Sequence, residues 1–400
     1  LEVYEESCAV FEAVGDRVGS GAVQRLMGRI YYELGKRAES LTHYHNALRI
    51  LDDGSESVEL ARAVSAISRM HMVAAEYDEA VAMGERALEL AERLGAEDVT
   101  VHALNNIGVS LVPRDPERGL AMLQDSLHRA LALGLPYDAC RAYHNLGSGF
   151  EKRCRYPEAR TTYADLLTYA EHVGATQDVL SALVALARVD WHSGQWAAAL
   201  TRRAHIHERV TASQTSSVAG LRAGTLLGEM HIDLGTGEAA RAELESSLSE
   251  ARSIAALHTT VPHLGQLARV FASLGMESEA AAVVQEIVGW IGGFSYVHSQ
   301  EGIPLLFACQ WSIARTGDEG LGDAYVFLRR LERAHEQWGS PETDACLSEG
   351  RGSVALAEGD HREAVGFFRH AVARWGEMGR PYDQARALSS LGKALHGLED

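Results

Sequence analysis

The sequence predicts an all-α protein built as a solenoid of about nine to ten antiparallel helix hairpins. Three observations carry this: a recurring small residue at intervals near 40, helical spacing of apolar residues around it, and glycine at the places where helices must stop. The small residues are Gly28, Ser68, Gly108, Gly147, Ala187, Gly228, Ala268, Gln310, Gly352 and Gly392, spaced by 39 to 42. Twelve positions after the first nine stand Ser40, Ala80, Leu120, Ala159, Ala199, Ala240, Ala280, Gly322 and Ala364. Seventeen of these nineteen positions are Gly, Ala or Ser, far above the roughly one-third share of those residues in the chain. Two antiparallel helices approach closely only where neither carries a bulky side chain, so a repeated crossing demands a repeated small pair.

The elements follow in order. Residues 1–20 read as the second helix of a truncated repeat, residues 21–384 as nine repeats and residues 385–400 as a terminal helix, all in one domain spanning 1–400. The first helix of a unit has apolar residues such as Leu26, Ile30 and Leu34 at helical spacing. It stops seven residues after the anchor at Gly35, Gly194, Gly235, Gly275, Gly317 or Gly359, because glycine takes the left-handed conformation that closes a helix. The second helix opens with acidic residues in its first turn, as in Tyr77-Asp78-Glu79-Ala80. Pro136, Pro262, Pro341 and Pro381 are expected at unit boundaries, and Gly19-Ser20-Gly21 reads as a loop. The stretch from Gly289 to His298 replaces regular helix by glycine and aromatics and reads as a longer connection. The chain opens at Leu1 inside a helical pattern, and the expectation is a segment of a longer multidomain polypeptide.

Composition limits function. With 37 basic against 55 acidic residues, net charge −18, the chain lacks the cationic excess that supplies nucleic-acid affinity. Cys8, Cys140, Cys154, Cys309 and Cys346 are odd in number and scattered, and they read as buried small hydrophobes of a reducing compartment. No run approaches the ~20 apolar residues of a membrane helix, and the expected location is cytoplasmic. His43-x-His45 and His205-x-His207 place imidazoles at i and i+2, which point apart on a helix, so no metal is expected. No phosphate loop, His-Glu-x-x-His or Gly-x-Ser-x-Gly elbow occurs, and neither catalysis nor a cofactor is assigned. The six tryptophans read as packing residues.

The order apolar, small, aromatic and later Ala in Leu26-Met27-Gly28, Tyr31, Tyr44 and Ala47 resembles the tetratricopeptide repeat, with about six residues more than its period of ~34. HEAT and armadillo repeats, with periods of about 40 to 47, are the structural alternative; the Gly and Ala anchors favour the former. The resemblance implies a right-handed superhelix with the first helices on its concave wall. Ala103-Leu104-Asn105-Asn106-Ile107-Gly108, Ala142-Tyr143-His144-Asn145-Leu146-Gly147 and Gly379-Arg380-Pro381-Tyr382-Asp383-Gln384-Ala385-Arg386-Ala387 resemble the sensor region of large ATP-binding LuxR-type bacterial transcriptional regulators, the maltose-activator-like group. Membership would imply attached nucleotide-binding and DNA-binding domains elsewhere in the full-length protein.

By the same resemblance the residue after each anchor and the one six before it face the groove. Nine of those twenty positions are Arg or Lys and one is acidic. Arg29, Arg69, Arg188 and Arg269 come from the first column, and Arg62, Arg141 and Arg222 from the second, which also contributes His102. Trp311 follows an anchor too, while Arg25, Tyr32, Asn105, His144 and Trp191 share the wall by register. A concave wall of one charge sign focuses its field. The expected partner is therefore a protein, a peptide or a small anionic effector, and the expected function is non-catalytic sensing or protein interaction within a regulator. A free-standing interaction scaffold and the helical arm of an adenylate cyclase are the alternatives. The competing reading of the arginines is ion pairing with acids on neighbouring repeats.

Overall fold

The computed structural model describes residues 2–34, 36–212, 218–254, 257–293, 301–316 and 318–398. Among them the backbone forms twenty α-helices and no strand. They fall into two compact units, residues 1–149 and 150–400.

Unit 1 contains α1 (Glu2–Ala13), α2 (Arg17–Glu33), α3 (Arg37–Leu51), α4 (Val58–Val73), α5 (Tyr77–Leu94), α6 (Glu97–Leu111), α7 (Pro116–Ala132) and most of α8 (Pro136–Lys152). The pairs α2–α3, α4–α5 and α6–α7 are hairpins, and the first helices α2, α4 and α6 pack successively. Unit 2 continues with α9 (Tyr156–His172), α10 (Thr176–His192), α11 (Trp196–Ala212), α12 (Val218–Asp233), α13 (Gly237–Ile254), α14 (Leu257–Ser273), α15 (Glu277–Gly292), α16 (Gly302–Thr316), α17 (Asp318–Trp338), α18 (Pro341–Ala357), α19 (His361–Glu377) and α20 (Pro381–His396). Here α10, α12, α14, α16, α18 and α20 are the first helices, each packed on the next.

The anchors are the crossing points. Ser40 Oγ donates to the Gly28 carbonyl at 2.8 Å and Ser68 Oγ to the Ala80 carbonyl at 2.7 Å, each joining the two small positions of one hairpin. A Cβ on Gly108 would stand 2.9 Å from the Gly119 carbonyl, and one on Gly352 2.9 Å from the Phe368 ring. Gln310, the exception, spends its amide on Glu349 and Ser353 of α18. Gly194, Gly235, Gly275 and Gly359 all have φ between 72 and 82°, as their helix-stopping role requires, while Gly35 and Gly317 lie outside the described residues.

Several boundaries differ from the sequence expectation. Gly19-Ser20-Gly21 is helical, because Asp16 caps α2 by accepting from the Gly19 N–H at 2.9 Å and Gly21 lets the Leu51 side chain close against the backbone. Thus α2 starts at Arg17, and α20 starts at Pro381. Pro136, Pro341 and Pro381 open α8, α18 and α20, but Pro262 sits inside α14 between the fully buried Val261 and Leu264, whose packing holds the helix through it. The Gly289 region remains helical to Gly292 because buried Ile287 and Ile291 extend the apolar stripe; residues 294–298 of that stretch lie outside the described residues. No described helix is long and apolar enough to cross a membrane.

Within unit 2 the segment from Lys152 to Tyr156 touches the C-terminal ends of α17 and α19 and the start of α20. Arg153 Nη1 donates to the Trp338 carbonyl at 3.1 Å, and Lys152 lies over the Trp338 ring at 5.1 Å. Arg380 Nη1 donates to the Tyr156 hydroxyl at 3.3 Å, and the Cys154 and Met378 sulfurs are 3.2 Å apart.

Candidate ligand-binding faces

In unit 1 the successive packing of α2, α4 and α6 sets arginines from neighbouring hairpins side by side. Near the start of these helices the charges close on one another. Arg25 pairs with Glu59 at 3.0 Å, and Arg62 bridges Glu59 and Asp98, the latter at 2.9 Å. Two turns along α4 the pattern changes. The Arg69 guanidinium lies over the Tyr32 ring at 4.6 Å, and its Nη1 donates to the Tyr137 hydroxyl at 3.1 Å. Arg29 lies over the other aromatic, Tyr137, at 5.2 Å. One turn after Tyr137, Arg141 donates from Nη2 to Asn106 Oδ1.

Among the described residues no carboxylate comes within ion-pair distance of Arg69 or Arg141. Arg141 Nη1 and Asn105 Nδ2 are buried and meet no acceptor there. Burial, reinforced by Arg69, lowers the Arg141 pKa to about 10. Burial also opposes the charge of Arg69, but Tyr32 and Tyr137 more than offset it and hold that guanidinium above its ordinary value. His102, bonded through Nδ1 to Ser65 Oγ at 2.7 Å, is pushed well below the usual imidazole range by burial and then by Arg141 and Arg69, so it is neutral at pH 7. Asn145 donates to Asn105 Oδ1 at 2.7 Å, and Asn106 donates to the Ser65 carbonyl at 2.9 Å. This face thus offers mainly N–H groups and aromatic surface.

Unit 2 is arranged differently. Arg188 grips both Glu151 oxygens at 2.6 and 2.7 Å, and Tyr163 donates to the same carboxylate at 3.0 Å. Although burial opposes ionisation of Glu151, Arg188 draws its pKa down to about 2. Arg269 pairs with Asp233 at 2.9 Å, where Trp191 Nε1 also donates at 2.9 Å, and His192 meets Glu229 at 3.2 Å. Arg386 contacts Glu349 and Asp383, each within 3.1 Å. The Arg269–Asp233 and His192–Glu229 pairs, with Asp383 and Arg386, line a small open cleft that Trp191, Arg380 and Tyr382 share. Arg222 stands near Lys152, whose pKa burial and Arg222 lower to about 8. Trp311 is covered by Arg315 at 5.2 Å, one turn along α16.

Sequence comparison is silent: no protein-family model and no curated protein matches the chain. Solved structures are similar in fold. A Rap protein complexed with Competence and Sporulation Factor shares 16% identity and a TM-score of 0.56, over 69% of this chain and 75% of that one. NprR in complex with its cognate peptide NprX shares 10% identity and a TM-score of 0.54, over 79% and 88% of the two chains. The apo form of RapI gives 15%, 0.53, 68% and 99%.

The fold is a tetratricopeptide-like solenoid. On its first helices, Arg25, Arg29, Tyr32, Arg62, Arg69, His102, Asn105, Arg141 and His144 belong to unit 1, and Arg188, Trp191, Arg222, Arg269 and Trp311 to unit 2. The structure brings Tyr32, Arg29, Arg69 and Arg141 to one place, and it joins Arg188 and Arg269 to acids of adjacent helices. Sequence reasoning missed Tyr137, Asn106 and Asn145, and the balancing acids Glu151, Asp233, Glu349 and Asp383. Glu151 occupies the position four after its anchor, the same column that contributes Tyr32 and Trp191, so a third column would have revealed it. His43 is occupied locally: its ring stacks on Tyr31 at 5.0 Å and Nδ1 bonds Gln24 at 2.8 Å.

Proposed function

We propose that this chain is a non-catalytic recognition module that binds a peptide or protein segment on the first-helix face of unit 1. The observation that carries the reading is the cluster of Arg69, Arg141 and the Asn105–Asn106–Asn145 amides, where buried donors outnumber acceptors. Carboxamides beside aromatic rings suit an extended backbone, which presents carbonyls at regular intervals. Two structures similar in fold are complexes, of a Rap protein with Competence and Sporulation Factor and of NprR with its cognate peptide NprX. The finer reading is the sensor arm of a LuxR-type regulator, supported by the Asn105-Asn106-Ile107-Gly108 and Asn145-Leu146-Gly147 phrases. In that setting, occupancy alters the rest of the polypeptide only if the two states of the switch differ in ligand affinity.

A peptide library of varied charge, captured on the chain and mapped by hydrogen exchange, tests the proposal. Captured peptides should protect amides of α4, α6 and α8. Protection confined to unit 2, or no capture at all, removes the reading. For the finer assignment, the gene on either side should encode a phosphate loop and a helix-turn-helix; a cyclase domain or neither would point to the cyclase arm or the free scaffold.

A further inference from the structure

Most arginines on the first-helix faces are answered by a carboxylate. Arg62 has Glu59 and Asp98, Arg188 has Glu151, Arg269 has Asp233, and Arg386 has Glu349. Arg69 and Arg141 depart from this rule at one point of unit 1. The Arg69 guanidinium stands over the Tyr32 ring, and its N–H donors lie in its own plane, at the edge of the fork. One N–H of that edge is spent on the Tyr137 hydroxyl, which accepts it and keeps its own proton to donate. Arg141, on the same helix as Tyr137 and one turn later, spends Nη2 on Asn106 and leaves Nη1 buried without an acceptor. Asp138, the nearest acidic neighbour on α8, forms no ion pair with either arginine within 4.0 Å among the described residues.

We infer that the edges of Arg69 and Arg141, with the Tyr137 hydroxyl, form a seat for one oxyanion group of the ligand, a carboxylate or a phosphate. A guanidinium has donors only, and its planar fork matches two oxygens of such a group. A neutral amide ligand would answer one donor and leave the second guanidinium without a directly bonded anion, with Asp138 acting only from beyond ion-pair distance, whereas an oxyanion answers both. Desolvation strengthens the match, since burial and then Arg69 disfavour the Arg141 charge by more than Tyr137 and Asp138 restore it. The inference deepens the peptide-recognition reading by naming the group that this face selects, and it rests on that reading only for the identity of the molecule bearing the anion.

Thermal-shift and calorimetric titrations of the full chain with sodium phosphate and with sodium acetate, at constant ionic strength against chloride, test the seat. At least one anion should raise the melting temperature saturably, and Arg141→Gln and Arg69→Gln should each weaken that saturation tenfold or more. Tyr137→Phe, which removes one hydroxyl and keeps the ring, should weaken it severalfold. Arg93→Gln, whose partner is Glu56 on the surface of unit 1, should leave it unchanged. A folded Arg141→Gln protein, verified by circular dichroism, that saturates like the parent overturns the seat. If that variant fails to fold, Tyr137→Phe and Arg141→Lys decide, and unaltered saturation in both is equally fatal.

Source is separated by comparing a captured peptide as free acid with its C-terminal amide, and a phosphoserine peptide with its serine form. A preference in either pair supports the seat, and equality in both overturns it. Peptides that protect α4, α6 and α8 equally in parent and Arg141→Gln would leave the recognition reading standing without the seat. Arg141-dependent phosphate binding without any captured peptide would do the reverse.

Discussion

Glu151 is 14% exposed at its side chain and is held by two guanidinium hydrogen bonds and a phenol. Its pKa falls from an ordinary 4.5 to about 2, so the folded state binds its proton more weakly than the unfolded chain. The resulting stabilisation is complete above pH 4.5 and disappears as pH falls toward 2; the shift corresponds to about 3 kcal/mol. Glu151→Gln should therefore cost about 3 kcal/mol at pH 7 in urea denaturation. The gap to the parent should narrow as pH is lowered from 4.5 to 2, and a gap constant across that window would contradict the assignment. At this scale the sequence was legible in part. The arginines stood out because they recur in two fixed columns. Their acids did not, because Glu151, Asp233, Glu349 and Asp383 occupy four different offsets from the anchors, and a side chain as long as Arg reaches any of them.

Helix ends show what a repeat tolerates. The position seven after the anchor is left-handed in Gly194, Gly235, Gly275 and Gly359, but Ala75 and Cys154 hold the same position with φ of 58°. A Cβ in that conformation costs about 1–2 kcal/mol, against roughly 0.5–1 kcal/mol for the extra backbone freedom of glycine in the unfolded chain. Ala75→Gly should consequently stabilise the protein by about 0.5–1 kcal/mol, read as a higher urea midpoint at unchanged slope; a lower midpoint would show that the Ala75 methyl packs usefully. Cys154 is the less suitable site, since its sulfur touches Met378. Most stops were visible in the sequence because glycine marks them, and these two were hidden by ordinary residues in the same conformation. Pro262 misled for the opposite reason: an intrinsic helix breaker sits where flanking Val261 and Leu264 are completely buried, and tertiary packing overrides its local preference.

At the scale of the whole molecule the 40-residue period predicted hairpins in linear succession, and consecutive hairpins are present. The meeting of the two ends of unit 2 left no periodic trace, because it is made by single residues far apart in the chain. Arg380 is central to it. The side chain is 3% exposed, lies over Trp375 at 5.3 Å, pairs with Asp383 at 2.6 Å and Glu342 at 3.0 Å, and reaches Tyr156. Removing one partner of a buried ionic cluster costs about 3–5 kcal/mol. Arg380→Gln should lower the stability of unit 2 by that order and should speed hydrogen exchange in α9 and α20 together. Acceleration in α20 alone would mean that the two ends open independently.

Linear repeat arrays depend on nearest neighbours and can assemble as they are synthesised. Unit 2 cannot finish that way, because Cys154 and Met378 are separated by 224 positions. At about 5–20 residues per second the ribosome needs roughly 10–45 s to travel between them. During that interval Arg153, Cys154 and Tyr156 lack the contacts that Trp338, Met378 and Arg380 supply in the finished fold, so the closure of unit 2 is among the last steps of its assembly.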